Sequence, residues 1–310
     1  MIMHCSEGAP TKMAPCPHVP VLGGTMLKSR RTLSIMLALA LVTGLFAMAG
    51  CAKTATPEPA APAETPAAPT YTLVAPGVLT VGSDTAFPPF EAMNGSVAEG
   101  FDVDLAGALA KEMGLTVNYT SQKFDTLIPQ LKAGGTFDVI MSGMTITPDR
   151  EKEITFSTPY IDSNQSIAVV KGKFSQLDGN DAAAINTAFT GKVIGVQSGT
   201  TGEAWAKENI KGAKQIVPFD DTLAAFSALN AGKVDGVVND LPVSAYLLKT
   251  SYTDDELIAE IPTGEQYGIG ISADNPDLKT AIDTAFDTLK TSGEYRTIYM
   301  KWFGVEPPTE

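Results

Sequence analysis

The sequence predicts an α/β protein of two similar lobes, each a mixed, mostly parallel sheet flanked by helices. Three observations lead there. From residue 78 onward, short β-rich runs alternate with helix-periodic segments, the pattern of βαβ units. The alternation starts again near residue 191. The first seventy residues carry no such pattern, so the folded part begins after them.

In the first region Val78–Ser83 reads as a strand. Residues 102–113 read as a helix, with Leu105, Leu109 and Met113 on one face and Gly114 as the stop. Residues 115–119 make the next strand. A short helix follows Phe124, with Leu127, Ile128 and Leu131 on one side, and it ends at Ala133-Gly134. Residues 137–141 are again a strand.

The second region repeats the order: strand 192–196, helix 202–208, strand 215–217, helix 222–229, strand 237–238 and helix 242–248. Leu131-Lys132-Ala133-Gly134 before Asp138-Val139-Ile140 matches Leu229-Asn230-Ala231-Gly232 before Asp235-Gly236-Val237. Either a common αβ turn recurs by coincidence, or two lobes share one architecture. The chain then returns to β at 267–271 and ends in helices at 277–289 and 293–303.

The N-terminal part is an address. Lys28-Ser29-Arg30-Arg31 precedes an uncharged run from 32 to 50, and Met48-Ala49-Gly50-Cys51 closes it. A basic start, an apolar run and small residues at the end make a secretory signal peptide over residues 1–50. A membrane-spanning signal anchor is the alternative, and the length of the run does not decide between them. Ala49-Gly50-Cys51 resembles the bacterial lipobox, with Met48 where Leu is usual. That resemblance implies cleavage before Cys51, acylation of its thiol and a membrane-anchored lipoprotein outside the cytoplasm. Ser29-Arg30-Arg31-Thr32-Leu33 partly resembles a twin-arginine signal. Residues 1–25 do not fit a signal and are read as a start-site artefact upstream of Met26. Residues 51–70 are the lipidated cysteine and a tether rich in Ala and Pro, unable to bury a core.

Composition narrows the function. Lys and Arg total 22 against 35 Asp and Glu, a net charge of −13. Residues 1–50 hold four of the bases and one of the acids, so the rest carries 18 against 34. Nucleic acid and anionic membranes would repel such a chain. Both histidines (His4, His18) and two of the three cysteines (Cys5, Cys16) also precede residue 51. The mature chain is therefore expected to use no Ser-His or Cys-His chemistry, no His-ligated metal, no internal disulfide and no cofactor. Asp178-Gly179-Asn180-Asp181 reads as a turn, because the later ligands of a calcium loop are missing.

In open parallel sheets, ligands bind beyond the carboxyl ends of the strands. Four such ends carry polar residues: Asp84 to Phe87, Ser142 to Thr145 with Arg150 close behind, Gln197 to Gly202, and Asn239-Asp240. Ser198 to Thr201 opens a helix, whose N–H groups suit an anion. Arg150 offers a fork for a carboxylate, and Asp240 an anion for an ammonium group. Phe87 and Phe124 can wall an apolar stem. Each has a plain alternative: a helix cap for Thr200-Thr201 and Asp240, a solvated charge run for Arg150, core for the phenylalanines. Only their joint placement describes an α-amino-acid site.

These strings together resemble the bacterial extracellular solute-binding proteins of family 3, the amino-acid receptors of ABC importers, over residues 77–305. The resemblance rests on Ser83-Asp84-Thr85-Ala86-Phe87-Pro88-Pro89-Phe90-Glu91, Gly100-Phe101-Asp102-Val103-Asp104-Leu105, and Ser142-Gly143-Met144-Thr145 through Arg150. Phe156-Ser157-Thr158-Pro159-Tyr160, Gly195 through Gly202, Gly264-Glu265-Gln266-Tyr267-Gly268 and Lys301-Trp302-Phe303-Gly304 complete it. It implies a type II periplasmic-binding-protein fold. Residues 71–161 with 267–310 form one lobe, 162–266 the other, and two hinge crossings lie near 160–164 and 264–267. It implies that Arg150 holds the ligand carboxylate with main-chain N–H groups at Thr145 and Thr201. It gives the ammonium group to Asp240 and the Ser142–Gly143 turn, and the flanks of the ligand side chain to Phe87 and Phe124. Specificity falls to Asp84, Gln197 and Asn239, and Thr200 is expected among the ligand-binding residues.

The expected partners are a free L-amino acid, glutamine or arginine, and an ABC permease; the protein is expected to be a monomer. An acidic ligand is not expected, because no basic residue lines the side-chain end. Two other functions remain in view. A few members of this fold are cyclohexadienyl dehydratases, and a sensory ligand-binding domain would use the same clamp. The second needs a further membrane segment and a cytoplasmic domain, which the sequence does not contain.

Overall fold

The computed structural model describes residues 70–308. The expectations for the signal peptide, Cys51 and the tether to residue 69 lie outside that span. Among the described residues no helix is long and apolar enough to cross a membrane.

The chain begins with β1 (Val78–Ser83) and a small antiparallel sheet of β2 (Ala86–Phe87), β3 (Glu91–Asn94) and β4 (Val97–Glu99). There follow α1 (Phe101–Glu112), β5 (Thr116–Ser121), α2 (Leu127–Ala133), β6 (Val139–Ile140), α3 (Pro148–Glu151) and β7 (Thr155–Phe156). The middle of the chain runs through β8 (Ile161–Val170), α4 (Ala182–Ala188), β9 (Val193–Gln197), α5 (Thr201–Asn209), β10 (Gln215–Phe219), α6 (Thr222–Asn230), β11 (Gly236–Asp240), α7 (Leu241–Thr250) and β12 (Asp255–Tyr267). It closes with β13 (Gly270–Ile271), α8 (Pro276–Ser292) and α9 (Glu294–Phe303).

Two five-stranded sheets result, in the orders β5-β1-β6-β13-β7 and β10-β9-β11-β8-β12. They follow one scheme. Three parallel strands lie with the earliest in the middle, and two antiparallel strands extend one side. The antiparallel share is larger than the strand–helix alternation suggests, because β13 and β8 run against the other strands and so pair antiparallel on both sides.

The sequence repeat now has a physical cause. Asp138 stands before β6 and its carboxylate accepts the Thr80 N–H of β1 at 2.7 Å and the Val74 N–H at 2.6 Å. Asp235 stands before β11 and accepts the Val193 N–H of β9 at 2.8 Å. The same carboxylate ties the third strand of each set to its first. Gly134 and Gly232 stop the preceding helices with φ of 72° and 67°, a conformation that strains any residue with a Cβ.

β8 and β12 form one long antiparallel pair, from Val170 opposite Asp255 to Ile161 opposite Tyr267, with register shifts between Leu257 and Ala259 and between Ile261 and Glu265. Tyr160 N–H donates to the Tyr267 carbonyl at 2.9 Å, so the chain leaves and re-enters the first sheet region side by side. Phe90, Phe101 and Tyr267 are fully buried there, with Phe90 centred 6.0 Å from Phe101 and 5.2 Å from Tyr267. Edge-to-face contacts of this kind suit a rigid platform.

Candidate functional site

The four polar strand ends meet. A narrow cavity is lined by Phe87, Phe124, Ser142, Gly143, Thr145 and Arg150 from one side and by Gln197, Thr200, Thr201 and Asp240 from the other. Asp84 and Asn239 are not in the lining. Asp84 sits behind Gln197 and accepts its amide N–H at 2.6 Å. Asn239 accepts the Thr222 hydroxyl at 3.0 Å, and that hydroxyl also lies 2.9 Å from the Gln197 amide oxygen. Both side chains lie behind Gln197, whose amide is committed at each end.

Arg150 leaves its charge run. Thr147 caps α3 by accepting the Arg150 N–H at 3.2 Å, and Pro148 fixes the first helical position. This one-turn helix turns the guanidinium inward. Nη1 donates to the Thr145 carbonyl at 2.7 Å and Nη2 to the Gly199 carbonyl at 3.1 Å. Its carbon lies 5.3 Å from the centre of the Phe124 ring, a cation–π distance. Burial pulls its pKa down, while the charges of Asp240 and Glu265 oppose the shift.

Asp240 precedes α7, yet its carboxylate makes no cap hydrogen bond there. It accepts the Gln165 amide N–H at 2.6 Å and the Tyr267 hydroxyl instead. Burial, and then the charge of Glu265, push it up to about 7. Burial also pushes Asp84 up to about 6, despite its bond from Gln197.

The Ser142–Gly143 turn rests on two buried acids. Ser142 donates its hydroxyl to Glu91 at 2.7 Å, and Gly143 N–H donates to Asp102 at 3.0 Å. Tyr160 also donates to Asp102, at 2.9 Å. Burial raises both carboxyls, Asp102 to about 7 and Glu91 well above its usual range. Gly143 has φ of 52°, and a Cβ there would stand 2.7 Å from the Phe87 ring. Only glycine lets that turn and that ring share the cavity wall.

Thr200 caps α5, accepting the Glu203 N–H at 3.1 Å, so Thr201 begins the helix at its positive end. Both readings of this string hold at once: it is a cap, and it faces the cavity. Among the described residues no cluster of acids, histidines or cysteines forms a metal site.

Reasoning from sequence singled out neither Gln165 nor Glu265. Gln165 comes from β8 and bonds Asp240. Glu265 comes from β12 and accepts the hydroxyls of Thr145 at 3.0 Å and Thr201 at 2.6 Å. Both lie on strands that were not read, and the only available signal for Glu265 was a charged residue beside a hinge.

The chain is similar to known proteins. The profile of the bacterial extracellular solute-binding proteins, family 3, matches residues 79–305. The ABC transporter arginine-binding protein 1 of Escherichia coli (strain K12) is 34% identical over 232 residues, covering 73% of this chain and 90% of its own. An ancestral arginine-binding protein solved with bound glutamine superposes with a TM-score of 0.67 at 38% identity, over 74% of this chain and 99% of its own. An ancestral amino acid-binding protein described as a precursor of cyclohexadienyl dehydratase gives 0.67 at 36% identity, over 73% and 96%. These solved relatives are amino-acid-binding proteins, and the fold is that of type II periplasmic binding proteins.

Proposed function

Because the chain belongs to the bacterial extracellular solute-binding proteins, family 3, we propose that it captures a cationic or polar uncharged L-amino acid, arginine ahead of glutamine, and delivers it to an ABC permease. One observation carries the reading: Arg150, on α3 after β6 of the first sheet, and Asp240, at the end of β11 of the second, line the same cavity. Arg150, with the N-terminal end of α5, takes the α-carboxylate. Asp240 takes the α-ammonium. The Ser142 hydroxyl and Gly143 N–H are already given to Glu91 and Asp102, so that turn offers carbonyl oxygens to the ammonium group.

Charge favours arginine. Asp240 lines the cavity, and Asp84 and Glu265 stand one residue behind the lining, at Gln197 and at Thr145 and Thr201, against one Arg150; a zwitterionic backbone adds no net charge. A guanidinium stacked on Phe87 or Phe124 would offset the excess, whereas a ligand carboxylate would deepen it. The lobes are residues 71–161 with 267–310, and 162–266, supported by the two sheets and by the paired passages at Tyr160 and Tyr267. Monomeric action, export through residues 1–50 and anchoring at Cys51 complete the reading. Calorimetry against the twenty amino acids tests it. Arginine or glutamine should bind tightest, and tightest binding of glutamate or aspartate would overturn the pocket assignment. Turnover of prephenate or arogenate would favour the dehydratase instead.

A further inference from the structure

Glu265 belongs to neither end of the proposed clamp, yet it bonds Thr201 beside one end and reaches Asp240 at the other through Gln165. It lies on the returning strand β12, opposite Ser163 of β8. The neighbouring backbone is fixed to the Thr145 loop, because Ile146 N–H donates to the Gln266 carbonyl at 2.8 Å and Gly268 N–H to the Met144 carbonyl at 3.0 Å. A single oxygen, Oε2, accepts the Thr145 hydroxyl at 3.0 Å and the Thr201 hydroxyl at 2.6 Å. Gln165 donates to the same carboxylate at 3.2 Å and to Asp240 at 2.6 Å. Thr145 follows the first sheet and Thr201 the second, so their hydroxyls meet on one carboxylate only when the two sides are together. A charged acceptor holds hydroxyl donors more strongly than a neutral one does.

We propose that Glu265 is the positioning residue of this site: its carboxylate latches Thr145 to Thr201, and through Gln165 steadies Asp240, when the cleft is closed. This rests on the amino-acid reading above. Because Glu265 spends its acceptors on the threonine hydroxyls, it orients the carboxylate end that every α-amino acid shares. It makes no contact that distinguishes one ligand side chain from another.

The test is calorimetry of wild type, Glu265→Ala and Glu265→Gln with arginine and with glutamine, alongside small-angle scattering of each protein with ligand. Glu265→Ala should weaken both ligands by the same factor, at least about tenfold for lost bonds to a charged group, and should compact less on binding. Glu265→Gln keeps one oxygen acceptor and should fall between. If Glu265→Ala does not fold, as read by circular dichroism, the Gln variant is judged by the same equal-factor criterion. Affinity within twofold of wild type, or a loss for one ligand and not the other, overturns the latch and leaves the amino-acid reading standing. A wild type that binds no amino acid overturns both.

Discussion

The Gln197 amide nitrogen donates to the Asp84 carboxylate at 2.6 Å, joining the end of β9 to the end of β1. One strand end from each sheet is thus pinned beside the cavity, and the acid concerned is held near pH 6 by burial. Its ionisation is coupled to whatever lies between the sheets.

That coupling fixes a pH dependence. Asp84 and Asp240 titrate near 6 and near 7 when folded, against about 3.9 for a free aspartate. The folded state therefore holds more protons than the unfolded one in this window. The stability these groups supply is complete below about pH 4 and is lost as pH rises through 7. The Tm of ligand-free protein should fall between pH 5 and pH 8, and Asp84→Asn with Asp240→Asn should make that fall shallower, with Asp102 and Glu91 supplying the remainder.

Arginine binding should release protons in the same window, since a buried guanidinium favours the ionised acids. Calorimetry in two buffers of different ionisation enthalpy measures the release, and affinity should rise from pH 5 to pH 8.

Arg150→Ala and Asp240→Ala should each lower affinity by about 30- to 5,000-fold, the usual effect of removing one partner of a desolvated charge pair. Melting curves establish that the fold is intact. Near-wild-type binding by either variant removes that residue from the clamp.

Gly143→Ala should destabilise the protein by more than about 1 kcal/mol, through a left-handed φ and a clash with Phe87. It should also weaken ligand binding. Chemical denaturation with and without ligand separates the two effects.

Cys51→Ser should free the protein from the membrane fraction. A variant as firmly bound as wild type would exclude acylation as the anchor.

What the sequence made legible was local. β1, α2, α5 and α6 follow from nearby periodicity and glycine stops. The site loops follow from a rule about strand ends. The place of Arg150 in the cavity lining is legible only through its neighbours, because its own segment reads as solvated. β8 and β12 were not legible, since their cause is each other. Residues 255–267 contain Pro262, Gly264 and four acids, and become a strand by pairing with 161–170. Gln165 and Glu265 were hidden with them. Asp84 was placed one shell too far forward, since nothing local reveals that Gln197 stands in front of it.

If one cavity holds both charged ends of an amino acid, blocking either end must weaken binding. Whichever amino acid binds tightest should be titrated against its carboxamide and its Nα-acetyl derivative. Each should lose at least tenfold, the first through Arg150 and the second through Asp240. Equal binding of either derivative would contradict that placement.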